Sequence, residues 1–134
     1  LTWLIELLFN TFPFVRTENE SIRPSLEQMG DLLETGYSII LFPEGKLSVT
    51  GELQPLKAGA GIVATQMGVP IVPVALMGTR DIVPYGALFP RKRGTIVVRF
   101  GKSIRYVRSD NHGQVTEKIF NNLKKLQTQE PYEL

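Results

Sequence analysis

Cysteine is absent from this 134-residue chain, and histidine and tryptophan occur once each, as His112 and Trp3. Without a thiol there is no disulfide framework, no thiolate metal site and no cysteine nucleophile, which fits a reducing compartment. No cluster of histidine and carboxylate residues supports a metal, so no metal site is expected. Long apolar runs are missing too. The richest segments, Leu1–Phe9 and Val69–Met77, fall well short of the ~20 residues that span a bilayer. Nor is there a strong excess of one charge: the net charge of +2 and pI near 9.0 are too mild to argue for nucleic acid as a partner. The first residue is Leu1 rather than methionine, which points to a processed, excised or trimmed chain whose start carries no readable targeting signal.

What is present suits one globular domain over residues 1–134. The composition is 43% hydrophobic and 21% charged, and the length suffices to bury a core. Helical and strand signals alternate along it. Leu1–Phe9 is apolar almost all round and reads as a buried or membrane-facing helix. Phe12–Val15 reads as a proline-containing edge strand. Ile22, Leu26, Met29 and Leu33 share one helical face, with Ser25 and Gln28 spaced as a capping box and Gly36 after the last turn. Tyr37–Phe42 reads as a central strand. Turn-formers fill 43–55, a small-residue helix covers Lys57–Met67, and strands are expected at Ile71–Met77 and Thr95–Phe100. Val115, Ile119, Leu123 and Leu126 mark a last amphipathic helix. This order predicts an α/β fold, a central mostly parallel or mixed sheet flanked by helices.

The most informative residues follow the Tyr37–Phe42 run: Phe42-Pro43-Glu44-Gly45. Neither packing nor strand geometry asks for a carboxylate and a glycine at such a point. In open parallel sheets ligands sit beyond the carboxyl ends of the strands, so Arg16 and Glu44, each following a strand candidate, are expected at one rim. A helix beginning near Lys57 would aim free N–H groups at the same rim. Gly59 and Gly61 would admit a ligand or another backbone. Arginine, lysine and a helix N-terminus suggest a phosphate. Glu44 repels phosphate, and its expected tasks are to hold Arg16 or to accept a hydrogen bond from a substrate hydroxyl. A structural Arg–Glu pair at a strand end is the alternative.

At these residues the chain resembles the glycerolipid acyltransferase family, typified by lysophosphatidic acid acyltransferases. Phe14-Val15-Arg16 is similar to the block ending in a substrate-binding arginine. Phe42-Pro43-Glu44-Gly45, with Ser48 beyond it, matches a second block. Val69-Pro70-Ile71-Val72-Pro73-Val74 matches a third, and Lys57-Ala58-Gly59 opens the helix between them. The resemblance covers roughly residues 1–105. It implies a glycerol-3-phosphate acyltransferase-like fold and acyl transfer from acyl-CoA or acyl carrier protein to a lysophosphatidate-like acceptor. No further cofactor is implied. Arg16 and Lys57 would hold the acceptor's phosphate, with Glu44 and Gly45 shaping the glycerol end.

Two departures stand out. The second block continues Lys46-Leu47-Ser48 where many members have Thr-Arg-Ser, and lysine does not reproduce arginine's fork. The catalytic His-x-x-x-x-Asp motif is absent, and in the family it precedes the helix that resembles Leu1–Asn10. His112 is followed at the matching spacing by Glu117 and reads as a surface residue. The fragment is therefore expected to be incomplete on its N-terminal side and nearly inactive alone. A non-catalytic phosphate- or lipid-binding module is the rival reading; a nucleotide-binding domain is a third, for which no loop is seen. Gly101-Lys102-Ser103 ends like a phosphate-binding loop, but Ile96 occupies the first glycine position. The cations Arg91, Lys92, Arg93, Arg99, Lys102, Arg105 and Arg108, with the apolar first helix, suggest peripheral contact with a membrane on its cytoplasmic side.

Overall fold

The computed structural model describes residues 22–128, in two compact units divided between Ile40 and Leu41. The helix expected over Leu1–Phe9, the strand expected over Phe12–Val15, and Arg16 lie outside the described residues.

The first unit contains α1 (Arg23–Glu34). Ile22 occupies the N-cap position and Pro24 sits in the first turn, where its missing N–H costs nothing. Ser25 therefore lies inside the helix, buried, instead of ahead of it as a capping box requires. Met29 is buried on the expected face, with Ile22, Leu26 and Leu33 half-buried. The helix ends in a Schellman pair: Gly36 N–H donates to the Leu33 carbonyl at 3.1 Å and Tyr37 N–H to Leu32 at 3.0 Å.

The second unit runs α2 (Gly59–Met67), β1 (Val74–Met77), α3 (Thr79–Ile82), β2 (Val97–Phe100) and α4 (His112–Thr128). β1 and β2 pair antiparallel, with Val74 opposite Phe100 and Met77 opposite Val97. Their connection holds only the single turn α3, too little for the crossover that a parallel pair needs. Pro73 interrupts the expected Ile71–Met77 strand because it has no N–H to give, so Ile71 joins the ladder only through a separate bridge to Ile104. Tyr37–Phe42 forms no ladder among the described residues; it is irregular, with Tyr37, Ile40 and Phe42 exposed. An apolar run becomes a strand only where a neighbour supplies hydrogen bonds. The α/β character of the fold holds, carried here by an antiparallel pair packed on helices.

The core lies where α2 and the sheet meet α4. Val115, Ile119 and Leu123 recur at helical spacing and pack with Ala64 of α2 and with Tyr106. Leu53, Leu56, Ile71 and Ile104 close the edges. Asn111 caps α4, its side-chain oxygen accepting Gln114 N–H at 3.1 Å. Arg99, opposite Ala75 on β2, caps the other end of the helix by donating to the Leu126 carbonyl at 2.8 Å. Arg105 donates to the Gly68 carbonyl at the end of α2, 2.9 Å away. Two cations of the expected basic face are thus spent on helix C-termini, where positive charge is favoured. Gly101-Lys102-Ser103 continues the extended chain beyond β2, Gly101 N–H bonding the Pro73 carbonyl at 2.8 Å, and starts no helix.

Gly61 sets the spacing of α2 and α4. A Cβ there would overlap the His112 carbonyl oxygen and the Thr116 hydroxyl, so the two helices meet at van der Waals distance only because the side chain is missing. The close approach expected at Gly61 is that of another backbone. It also uses His112, which is half-buried at the first position of α4.

Gly61→Ala should destabilise the unit by about 1–3 kcal/mol through overpacking, read as a lower denaturant midpoint; an unchanged midpoint would show that the helices do not touch there. Tyr106 supplies a pH test. Burial, and secondarily the Asp110 carboxylate, hold its phenol above the ordinary value of 10.0. The folded state favours the neutral ring, so this contribution is complete below the unfolded-state value and is lost as pH rises through the folded one. Tyr106→Phe should flatten the alkaline limb of the stability–pH curve.

Candidate functional site

The segment 42–57 is built from turns, each with a local cause. Phe42 accepts a hydrogen bond from Gly45 N–H at 3.2 Å, closing a four-residue turn with Pro43 second and Gly45 last, the positions those residues favour. Gly45 has φ +65°, a conformation that a side chain would strain. The Pro43 carbonyl then accepts Lys57 N–H at 2.9 Å, tying the turn to the entry of α2. The Lys57 stem lies over Gly45, its Cγ at ordinary contact distance, 3.4 Å, from where a Cβ would stand. Glu44, Gly45 and Lys57 are therefore brought together.

The Glu44 carboxylate spans the loop. Its Oε2 accepts Gln54 N–H at 2.6 Å, closing residues 44–54 into a ring. This short, charge-assisted bond gives the carboxylate a local task that the sequence reading did not assign. No other partner of the carboxylate is found among the described residues, so the remaining lone pairs are available to a ligand hydroxyl. Inside the ring, Ser48 Oγ donates to the Glu52 carbonyl at 2.7 Å and accepts Gly51 N–H at 2.9 Å. The serine that follows the Glu-Gly pair is thus a turn-closing residue. From outside, the Arg80 guanidinium of α3 donates to the Thr50 carbonyl and lies against Gly51.

Lys46 and Lys57 are exposed cations at this loop. Lys46 lines an open groove of about 340 Å³ with Leu47, Val49, Thr50, Gln54 and Tyr85. α2 begins at Gly59, two residues beyond Lys57, with Ala58 as a cap that makes no side-chain bond. Sequence reasoning missed Gln54 and Thr50 because both contribute backbone atoms, which leave no mark on residue type. It missed Arg80 because an arginine in the glycine- and proline-punctuated stretch Gly78–Gly94 reads as solvated charge.

Comparison with known proteins bears on what such a site serves. The acyltransferase family model matches residues 1–77, which include the turn, the loop and α2. A chloroplastic 1-acyl-sn-glycerol-3-phosphate acyltransferase of Brassica napus is 34% identical over 108 residues, covering 81% of this chain and 31% of the relative. The enzyme of the same name from Saccharomyces cerevisiae is 31% identical, covering 89% of this chain and 40% of the relative. The chain thus spans about a third of the length of the first of these relatives and two-fifths of the second. Among solved structures, the 1-acyl-sn-glycerophosphate acyltransferase PlsC of Thermotoga maritima superposes with a TM-score of 0.61 at 23% identity, covering 78% of this chain and 46% of that one. That likeness supports the fold. With more than half of its residues matched by the family model, the chain belongs to the acyltransferase family.

Proposed function

We propose that the protein to which this chain belongs is a glycerolipid O-acyltransferase, moving an acyl group from a thioester to the free hydroxyl of a lysophosphatidate-like acceptor. The observation that carries the reading is the tie between Pro43 and Lys57, which seats a cation over the Glu44–Gly45 turn. Lys57 offers charge to the acceptor's phosphate, and Glu44 keeps lone pairs free for a glycerol hydroxyl. Arg16, matched to the family's substrate-binding arginine, supplies a second positive charge in this reading.

In the family's chemistry a histidine takes the proton of the acceptor hydroxyl, the oxygen attacks the thioester carbonyl, and the thiol leaves. These 134 residues contain no His-x-x-x-x-Asp pair, and the single histidine, His112, is followed at that spacing by Glu117. The base and its orienting carboxylate would then come from residues outside this sequence, and the chain alone would bind acceptor without acylating it. The donor is acyl-CoA or acyl carrier protein. The lipid acceptor and the exposed cations favour work at a membrane surface, on its cytoplasmic side.

Calorimetric titration with a short-chain, monomeric lysophosphatidate tests the site on the chain as it stands. Lys57→Ala should weaken binding about tenfold, the loss expected for one charge-assisted contact. Glu44→Gln, which retains an acceptor for Gln54 N–H, should keep the loop while altering affinity for the glycerol end. The Arg16→Ala, Glu44→Ala double variant should lose saturable binding; affinity equal to the parent chain would overturn the assignment.

A further inference from the structure

The most exposed large apolar side chains of the second unit gather in two neighbouring loops. Leu88 is 90% exposed and Phe89 77%, on the excursion between α3 and β2, and Leu47 is 78% exposed on the Glu44–Gln54 ring. The loops adjoin: Tyr85 of the excursion shares the open groove with Leu47 and Val49, and Arg80 holds the ring at Thr50. The excursion is a built structure. Ala87 N–H bonds the Pro84 carbonyl at 2.9 Å, and Arg91 N–H bonds Ile82 at 2.9 Å across its base. Leu88 and Phe89 are therefore held out at a braced tip, between Gly86 and Pro90.

Cations flank that tip. Arg91, Lys92 and Arg93 follow it directly, and Lys46 stands on the adjoining loop. Lys92 lies 3.9 Å from the Asp81 carboxylate. Among the described residues no carboxylate is in ion-pair range of Lys46, Arg91 or Arg93. A single exposed leucine needs no explanation, but braced apolar side chains with unpaired, exposed cations next to them in the chain and on the adjoining loop do. We infer that the tip Leu88–Phe89, with Leu47, Val49 and Tyr85 beside it and Lys46, Arg91 and Arg93 around it, is a docking surface for an anionic lipid bilayer. The apolar residues enter the acyl boundary while the cations meet headgroup phosphates. A second copy of the chain is the poorer occupant, because it would bring the same cations to the shared face, whereas an anionic bilayer neutralises them. The inference rests on the peripheral membrane contact proposed above and names the residues that make it. Among the described residues no helix is long and apolar enough to cross a membrane, so a surface contact is the mode this surface can supply.

The absence of cysteine makes a site-resolved experiment direct. Leu88→Cys carrying an environment-sensitive dye should shift its emission to the blue on adding vesicles with about one-third phosphatidylglycerol, and should not with phosphatidylcholine alone. A dye at Lys118→Cys, on the exposed side of α4, should not respond. In vesicle flotation Leu88→Ser with Phe89→Ser should abolish association. Arg91→Gln with Arg93→Gln, which leaves the Lys92–Asp81 pair in place, should weaken it about 25-fold, near fivefold per cation. Flotation of the parent chain that both variants leave unchanged would overturn this surface while sparing the membrane reading. Failure of the parent chain to bind any vesicle would overturn both. A blue shift that grows with protein concentration in the absence of lipid would assign the surface to a second copy and overturn the proposal.

Discussion

The contact of α2 with α4 at Gly61 is the constraint on which the site depends. Two helices can lie this close only where one of them offers bare backbone, and the Gly61 position faces the His112 carbonyl and the Thr116 hydroxyl. Ala64 and Val115 extend the same interface into the core, and Thr65, fully buried, turns its hydroxyl back to the Gly61 carbonyl at 3.0 Å. The helix so fixed begins just after Lys57. Because Lys57 N–H is bonded to the Pro43 carbonyl, the position of the helix dictates that of the Glu44–Gly45 turn. A packing decision in the core is thereby passed to the surface through one backbone hydrogen bond. Rigid support of this kind is what a loop-borne site requires.

Charge in this chain divides by whether a backbone end claims it. Arg99 and Arg105 finish helices, Arg80 braces the ring at Thr50, and Glu44 closes that ring at Gln54. Each of these side chains meets a backbone group that would otherwise face solvent unpaired. Lys46, Lys57, Arg91 and Arg93 have no such task among the described residues, and all four are exposed. They are among the charges open to a ligand or a surface, and they are the ones that stand beside the Glu44–Gly45 turn or next to the Leu88–Phe89 tip in the chain.

Much of this was legible in residue order. The last helix announced its buried face through Val115, Ile119, Leu123 and Leu126, because helical periodicity and burial are the same signal. The family blocks located the turn and α2, and glycine at 61 marked a close approach. The strand expected at Tyr37–Phe42 forms no ladder among the described residues, since apolar character specifies burial potential and not a hydrogen-bonding neighbour. The antiparallel pairing of β1 and β2 was equally hidden: it follows from the shortness of α3, which the excursion's prolines and glycines only hint at. The bond from Gln54 N–H to Glu44 was beyond reach, because a backbone donor carries no residue identity. So was the sorting of arginines into caps and free charges, which requires knowing where helices end in space.

The claim that the Glu44–Gly45 turn and Lys57 form one ligand-binding unit meets its most direct test in backbone amide NMR. With 15N-labelled chain titrated with short-chain lysophosphatidate, the amides of Gly45, Gln54 and Lys57 should shift together and saturate along one binding curve. Those of Ile119 and Leu123, deep in α4, should stay in place. Saturable shifts confined to other residues, with Gly45, Gln54 and Lys57 unmoved, would contradict the account.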